Sequence, residues 1–232
     1  MSKWLISSAF AFVLASAAFA QQTPPPRPAQ PSLFFKEDWK QTGPERNALS
    51  SEVVVNPSLE LKLYGASSKD IQIAPNAPNT RNDPPNLWTG ICTTPVAATL
   101  RDRNNYVDLT GRAKIRWAIR SAGFHVVRPV LKLANGTWLV GDHTDGNGSS
   151  ENFLESEFSV AAVRWLRLDI ERVVTLHADT AKAPELARWV EKPDLSKVDE
   201  VGFADLMPGS GHGWGGFVNV GRIEVYGSPV RR

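Results

Sequence analysis

The chain has 232 residues, a formal net charge of +2, 42% apolar and 22% charged residues, and one cysteine. These values suit a globular protein. No run of like charges is long enough to make nucleic acid or an anionic membrane a natural partner, and a lone thiol, Cys92, excludes an internal disulfide.

Lys3 precedes an apolar stretch from Trp4 to Phe19, and Ala18-Phe19-Ala20 has the small-x-small pattern of a cleavage site. Residues 1–20 therefore read as a secretory signal peptide, which predicts a periplasmic or secreted protein. No cysteine follows that site to carry a lipid anchor, and no later apolar run approaches the roughly 18 residues of a membrane helix. Residues 21–32 form a linker: Pro24, Pro25, Pro26, Pro28 and Pro31 favour extended polyproline geometry and have nothing to bury. Cleavage leaves about 212 residues, and the absence of an internal repeat or second linker predicts one domain over residues 33–232.

That region reads as strands. Leu59, Leu61 and Leu63 alternate with Glu60, Lys62 and Tyr64, and Ile115, Trp117 and Ile119 alternate with Lys114, Arg116 and Arg120. Val127, Leu131 and Leu133 share a face, with Arg128 and Lys132 opposite. Pro129 inside that run predicts an edge or bulged strand, because proline donates nothing to a ladder. Asn135-Gly136 is a hairpin signal joining it to Trp138-Leu139-Val140. Leu166, Leu168 and Ile170 alternate with Trp165, Arg167 and Asp169, and Ile223 and Val225 with Glu224 and Tyr226. Period two of this kind marks strands with one face on a core. One helix is expected, over residues 180–190, interrupted by Pro184. Many short strands with regular turns predict an all-β chain, an antiparallel β-sandwich.

Three segments share an order seen elsewhere: Tyr106-Val107-Asp108-Leu109-Thr110-Gly111, Val198-Asp199-Glu200-Val201-Gly202-Phe203 and Gly221-Arg222-Ile223-Glu224-Val225-Tyr226-Gly227. The order resembles the galactose-binding-like β-jelly rolls, which include many carbohydrate-binding modules. The Leu-Phe-Phe-Lys-Glu start at Leu33 resembles a group of exported bacterial proteins. The resemblance covers residue 33 to the C-terminus and implies a jelly roll. It implies no catalytic residues, since fold does not fix function. Many such domains bind glycans through loops at one end and carry a structural calcium ion.

Asp142, Asp145 and Asn147 supply closely spaced oxygens of the kind calcium takes, although their spacing is not that of an EF-hand; a solvated hairpin turn is the plainer reading, and a catalytic role for His143 a third. No histidine pair has zinc-ligand spacing. His212 and Trp214 stand in a glycine-rich loop, Pro208 to Gly216, that lets backbone approach a ligand or simply packs its indole over the sandwich. Sugar rings stack on indoles. Trp117 is assigned to the core. Trp165 points away from the leucines of its strand, as a sheet-face platform or as part of a second packed layer, and Trp88 follows the rigid loop Asn82-Asp83-Pro84-Pro85-Asn86. Arg101 and Arg103 precede Tyr106, and arginine forks grip carboxylates such as those of uronic acids.

Two readings follow. The first is an exported, non-catalytic domain binding a glycan or glycoconjugate through Trp88, Arg101, Arg103, Trp165, His212 and Trp214. The alternative is a polysaccharide lyase or glycoside hydrolase with a loop-borne site drawing on Arg101, Arg103, Tyr106, His143 and His212, which requires those groups to reach one substrate. Ser210 lacks a nucleophile-elbow setting, and Glu155 and Glu157 are too generic a pair to signal a glycosidase.

Overall fold

The computed structural model describes residues 30–43, 45–74, 83–123, 125–146, 152–168, 170, 187–206 and 216–232. The predicted signal peptide, almost all of the linker, and His212, Trp214 and Asn147 lie outside them. Sixteen strands occur among the described residues. In chain order they are β1 (Leu33–Glu37), β2 (Asn47–Ala48), β3 (Leu59–Tyr64), β4 (Gln72–Ala74), β5 (Asn86–Trp88), β6 (Val96–Asp102), β7 (Asn105–Asp108) and β8 (Lys114–Gly123). Then follow β9 (Val127–Leu133), β10 (Trp138–Gly141), β11 (Leu154–Ser159), β12 (Trp165–Leu168), β13 (Ala187–Val190), β14 (Val198–Asp205), β15 (Gly216–Tyr226) and β16 (Ser228–Arg231).

All pairings between named strands are antiparallel. One sheet has seven strands in the order β11-β8-β15-β5-β4-β2, with β1 also beside β15. The other has nine, in the order β13-β12-β10-β9-β14-β6-β3, with β7 linking β14 to β16. Ile115, Trp117, Val220 and Val225 from the first sheet and Leu100, Leu131, Val201 and Phe203 from the second fall in one buried cluster. The fold is therefore the expected antiparallel sandwich of jelly-roll type, with its main core between the sheets. No helix among the described residues is long and apolar enough to cross a membrane.

Three local expectations change. Residues 187–190 of the expected helix are strand β13, and 180–186 lie outside the described residues. β9 is interior, flanked by β10 and β14, despite Pro129. Val127 and Leu133 both donate toward the β10 side, to Asp145 and Thr137, so the missing N–H of Pro129 falls on that side too, facing Gly141. There the regular β9–β10 ladder has ended at Val130↔Val140, and the Arg128 guanidinium donates to the Gly141 carbonyl at 3.3 Å. A proline is thus accommodated in a central strand because a side chain supplies the lost donor. The third change is the facing of β12. Trp165 is 2% exposed and belongs to the inter-sheet core, while Leu168 and Ile170 lie in a second apolar cluster with Ala97, Val130, Trp138, Val140 and Ala204.

The Asn135-Gly136 hairpin forms as expected, with Gly136 at φ 83°, a conformation that costs other residues energy. Leu33 opens β1, and Glu37 at its end is fully buried. Its carboxylate accepts three backbone N–H groups, from Trp39 at 2.9 Å, Val55 at 2.8 Å and Asn56 at 3.0 Å. Trp39 itself donates from Nε1 to the Gly221 carbonyl at 2.6 Å, pinning the segment after β1 to β15.

Candidate functional site

The outer face of the nine-stranded sheet gathers the most varied chemistry among the described residues. Strand alternation sets that face. Leu59, Leu100, Val201, Leu131 and Leu139 point into the core, so Glu60, Arg101, Glu200, Lys132 and Trp138 point outward. Register aligns these five in one row across β3, β6, β14, β9 and β10. The neighbouring row is Lys62, Thr99, Gly202, Val130, Val140, Leu166 and Trp189. Small residues, Ala97 and Ala204, leave room above the middle strands, whereas at Gly202 the β6 backbone comes so close that a Cβ would lie 2.0 Å from the Ala98 carbonyl oxygen.

Tyr64, from the end of β3, uses that room. Its ring meets Trp138 edge-on, centroids 4.7 Å apart, and its hydroxyl donates to Glu200, 2.9 and 3.0 Å from the two carboxylate oxygens. Glu200 is 3% exposed. It also accepts from Thr99 Oγ1 at 2.5 Å and pairs with Lys132 Nζ at 3.6 Å. Lys132 Nζ stands 5.3 Å from the Tyr64 ring and 4.8 Å from the Trp138 ring. A buried carboxylate is tolerable here because each oxygen is paired. The result is an amphipathic cluster: two aromatic rings, a cation and a carboxylate packed together on one face. Trp138, Val130 and Glu200 are buried, so the cluster meets solvent at half-buried Tyr64 and Lys132.

Arg101 lies in the same row and is held by Asp199 at 3.0 Å and Glu60 at 3.5 Å. The hydrogen bond to Asp199 leads in holding its pKa above the ordinary arginine value, against partial burial. At the far edge of the face, Trp189 is 48% exposed, the one tryptophan among the exposed large apolar residues described. The Arg164 guanidinium stacks 4.4 Å above its ring. Trp189 sits three strands beyond Lys132, about 14 Å across the sheet at about 4.8 Å per strand, and one row along it. Sequence reasoning passed over Trp189, Tyr64, Trp138, Lys132 and Glu200. The alternation of Tyr64 and Lys132 opposite leucines was visible, but not which strands would lie side by side.

The predicted site residues are dispersed. Trp88 is on the opposite sheet. Arg103 is exposed beyond β6. Trp165 is no platform: it packs between the sheets beside Gly141, and its Nε1–H finds no acceptor among the described residues. Tyr106 is covered by the Arg232 guanidinium, 4.3 Å from its ring centre. The lyase grouping does not assemble. Arg101 is level with Lys132 through Glu200, whereas Asp145, beside His143, bridges to Val127. That is five residues along β9, or roughly 17 Å at about 3.4 Å each.

Asp142 and Asp145 are turned to separate internal donors. Asp142 accepts from the Arg164 backbone at 2.9 Å. Asp145 accepts from Trp117 Nε1 at 2.5 Å and Ser156 Oγ at 2.9 Å, with His143 Nε2 2.9 Å away. His143 stacks on Phe158, centroids 4.2 Å apart. No group of three or more His, Cys, Asp or Glu suited to a metal occurs among the described residues. Cys92 is buried, and burial together with the Asp205 and Asp70 charges pushes its thiol up to about 12. A second buried set, His125, Asp205 and Thr89, ties the sheets together: His125 Nδ1 lies 2.8 Å from Asp205 and Thr89 Oγ1 donates to it at 2.8 Å.

No family model matches the chain, and no curated protein matches it. Among solved structures, it is similar to the family 11 carbohydrate-binding module of the cellulosomal cellulase Lic26A-Cel5E of Clostridium thermocellum. Identity is 16% over 85% of this chain and 95% of that one, with a TM-score of 0.43. A family 11 module from Clostridium thermocellum in complex with a β-1,3-1,4-mixed-linked tetrasaccharide is similar at 16% identity, over 81% of this chain and 98% of that one, TM-score 0.42. An exo-β-agarase is similar at 10% identity over 82% of this chain but 25% of its own length, TM-score 0.39. These are distant likenesses.

Proposed function

We propose that this chain is an exported, non-catalytic carbohydrate-binding domain, and that the outer face of the nine-stranded sheet is where a glycan lies. The supporting observation is exposed Trp189 on the same face as the cluster of Tyr64, Trp138, Lys132 and Glu200. Sugars present apolar C–H faces and polar rims, and the patch offers aromatic surface beside fixed donors and acceptors. Export follows from residues 1–20. Its check is the first residue of the protein recovered from cells, expected to be Gln21.

Affinity electrophoresis through gels containing mixed-linkage β-glucan, xylan or agarose tests the reading. At least one neutral polysaccharide is expected to retard the protein. Trp189→Ala, at a half-exposed position, is expected to weaken that retardation about tenfold, the loss of one stacking contact of about 1.4 kcal/mol. Tyr64→Phe, which keeps the ring and loses the bond to Glu200, is expected to weaken it less. Full mobility of the wild type in every gel would overturn the proposal. Running each gel with calcium and with a chelator decides whether the Asp142 and Asp145 loop contributes an ion.

A further inference from the structure

The outer face of the seven-stranded sheet carries a separate arrangement. Leu87 points into the core, so its neighbours Asn86 and Trp88 point outward. Asn219 pairs with Trp88 on one side and Arg120 on the other, and Phe217 lies two residues along β15. The Trp88 indole lies over the chain just past the end of β5: a Cβ built on Gly90 would fall 2.0 Å from the ring. The Arg46 guanidinium stacks on the indole, 3.8 Å from its centre. Phe217 is tilted against the same ring, centroids 6.5 Å apart.

The two arginines differ in how they are satisfied. Arg120 pairs with Asp83 at 2.6 Å, donates to Asn219 at 3.5 Å, and has its guanidinium 4.9 Å from the Phe153 ring centre. Arg46 is exposed, and no carboxylate lies within ion-pair distance of it among the described residues. Partial burial on the indole, then the repulsion of Arg120, lower its pKa from the ordinary arginine value. No acceptor takes the Arg46 N–H groups among the described residues, and a guanidinium fork matches a carboxylate. A local excess of positive charge therefore sits on an aromatic surface, its donors unspent among the described residues.

We propose that this face is a second binding site, for an acidic polysaccharide of the uronate class. Arg46, held on Trp88, grips a sugar carboxylate. Arg120 adds attraction without leaving Asp83. Phe217 receives the apolar face of the adjoining ring. The site lies on the opposite side of the sandwich from the neutral-glycan face and does not depend on that reading.

The test is affinity electrophoresis in polygalacturonate, with methyl-esterified polygalacturonate and dextran sulfate as companions. Polygalacturonate is expected to retard the wild type, and the esterified polymer, which lacks the charge, is expected not to. Arg46→Ala is expected to weaken retardation about tenfold, as loss of a charge-assisted pair does. Arg46→Lys is expected to weaken it nearly as much, because a point charge lacks the planar fork. Trp189→Ala is expected to leave it unchanged. An unretarded wild type, or Arg46→Ala running as wild type, would overturn the proposal. So would dextran sulfate retardation matching polygalacturonate with Arg46→Lys fully active, which would mean attraction of bare charge. An unchanged melting temperature for both variants shows that a loss is one of binding.

Discussion

At Gly90 a missing side chain sets the position of a neighbouring ring. The Trp88 indole occupies the volume a Cβ would take, and the ring is rigid, so it cannot yield at its tip as a lysine would. Gly90→Ala is expected to swing the indole off its strand and break the stack with Arg46. The readout is Trp88 fluorescence, compared against a Trp88→Phe background: the emission difference between Gly90→Ala and wild type should vanish when Trp88 is absent. An identical spectrum in the presence of Trp88 would mean that the ring lies elsewhere. Glu37 shows the opposite case, where a charged side chain is buried because backbone donors surround it. Three N–H groups converge on that carboxyl group and satisfy its oxygens, with no cation paired to it among the described residues.

At the scale of the strand, β12 shows why alternation alone could mislead. Leu166, Leu168 and Trp165 alternate cleanly, but both faces of this strand are covered, one by the opposing sheet and one by the outer cluster. Which face is interior then depends on partners, and the pairing of Trp165 with Gly141 turns the indole inward. A direct consequence concerns Leu168, an outward residue that is 1% exposed. Leu168→Ala is expected to destabilise by about 2–5 kcal/mol, the range for a buried leucine, as measured by urea unfolding. A loss near zero would show that the outer cluster contributes no core-like packing. Where one face meets water, the sequence was a better guide. Ile115, Trp117 and Ile119 point inward as their alternation with Lys114, Arg116 and Arg120 predicts, and the hairpin at Gly136 was legible from two residues. Strand order was not legible. The hairpin brings Lys132 and Trp138 together, but Arg101 and Glu200 join their row from β6 and β14, and that meeting depends on long-range pairing that local pattern does not encode. Pro129 illustrates the same limit, since its central position is explained by the Arg128 side chain and by where the β10 ladder stops.

For the whole molecule, the consequence of a sandwich is two outer faces with a packed core between them. Trp189 belongs to one and Arg46 to the other, and the layers they rest on are about 10 Å apart before side chains are added. Perturbations at sites that far apart with no shared partner combine additively to within about 0.5 kcal/mol. The double variant Trp189→Ala/Arg46→Ala is therefore expected to retain uronate polymer as poorly as Arg46→Ala alone, and neutral glucan as poorly as Trp189→Ala alone. Its unfolding free energy should equal the sum of the single effects within that margin. The buried His125–Asp205–Thr89 set and the inter-sheet core connect the faces through closely packed groups, and none of these among the described residues has two arrangements, so occupancy of one face is expected to leave the other unchanged. Calorimetric titration with one polymer in the presence of a saturating amount of the other measures this directly. A change in affinity beyond about twofold, roughly 0.4 kcal/mol, would show that the two faces are coupled and that the core between them moves.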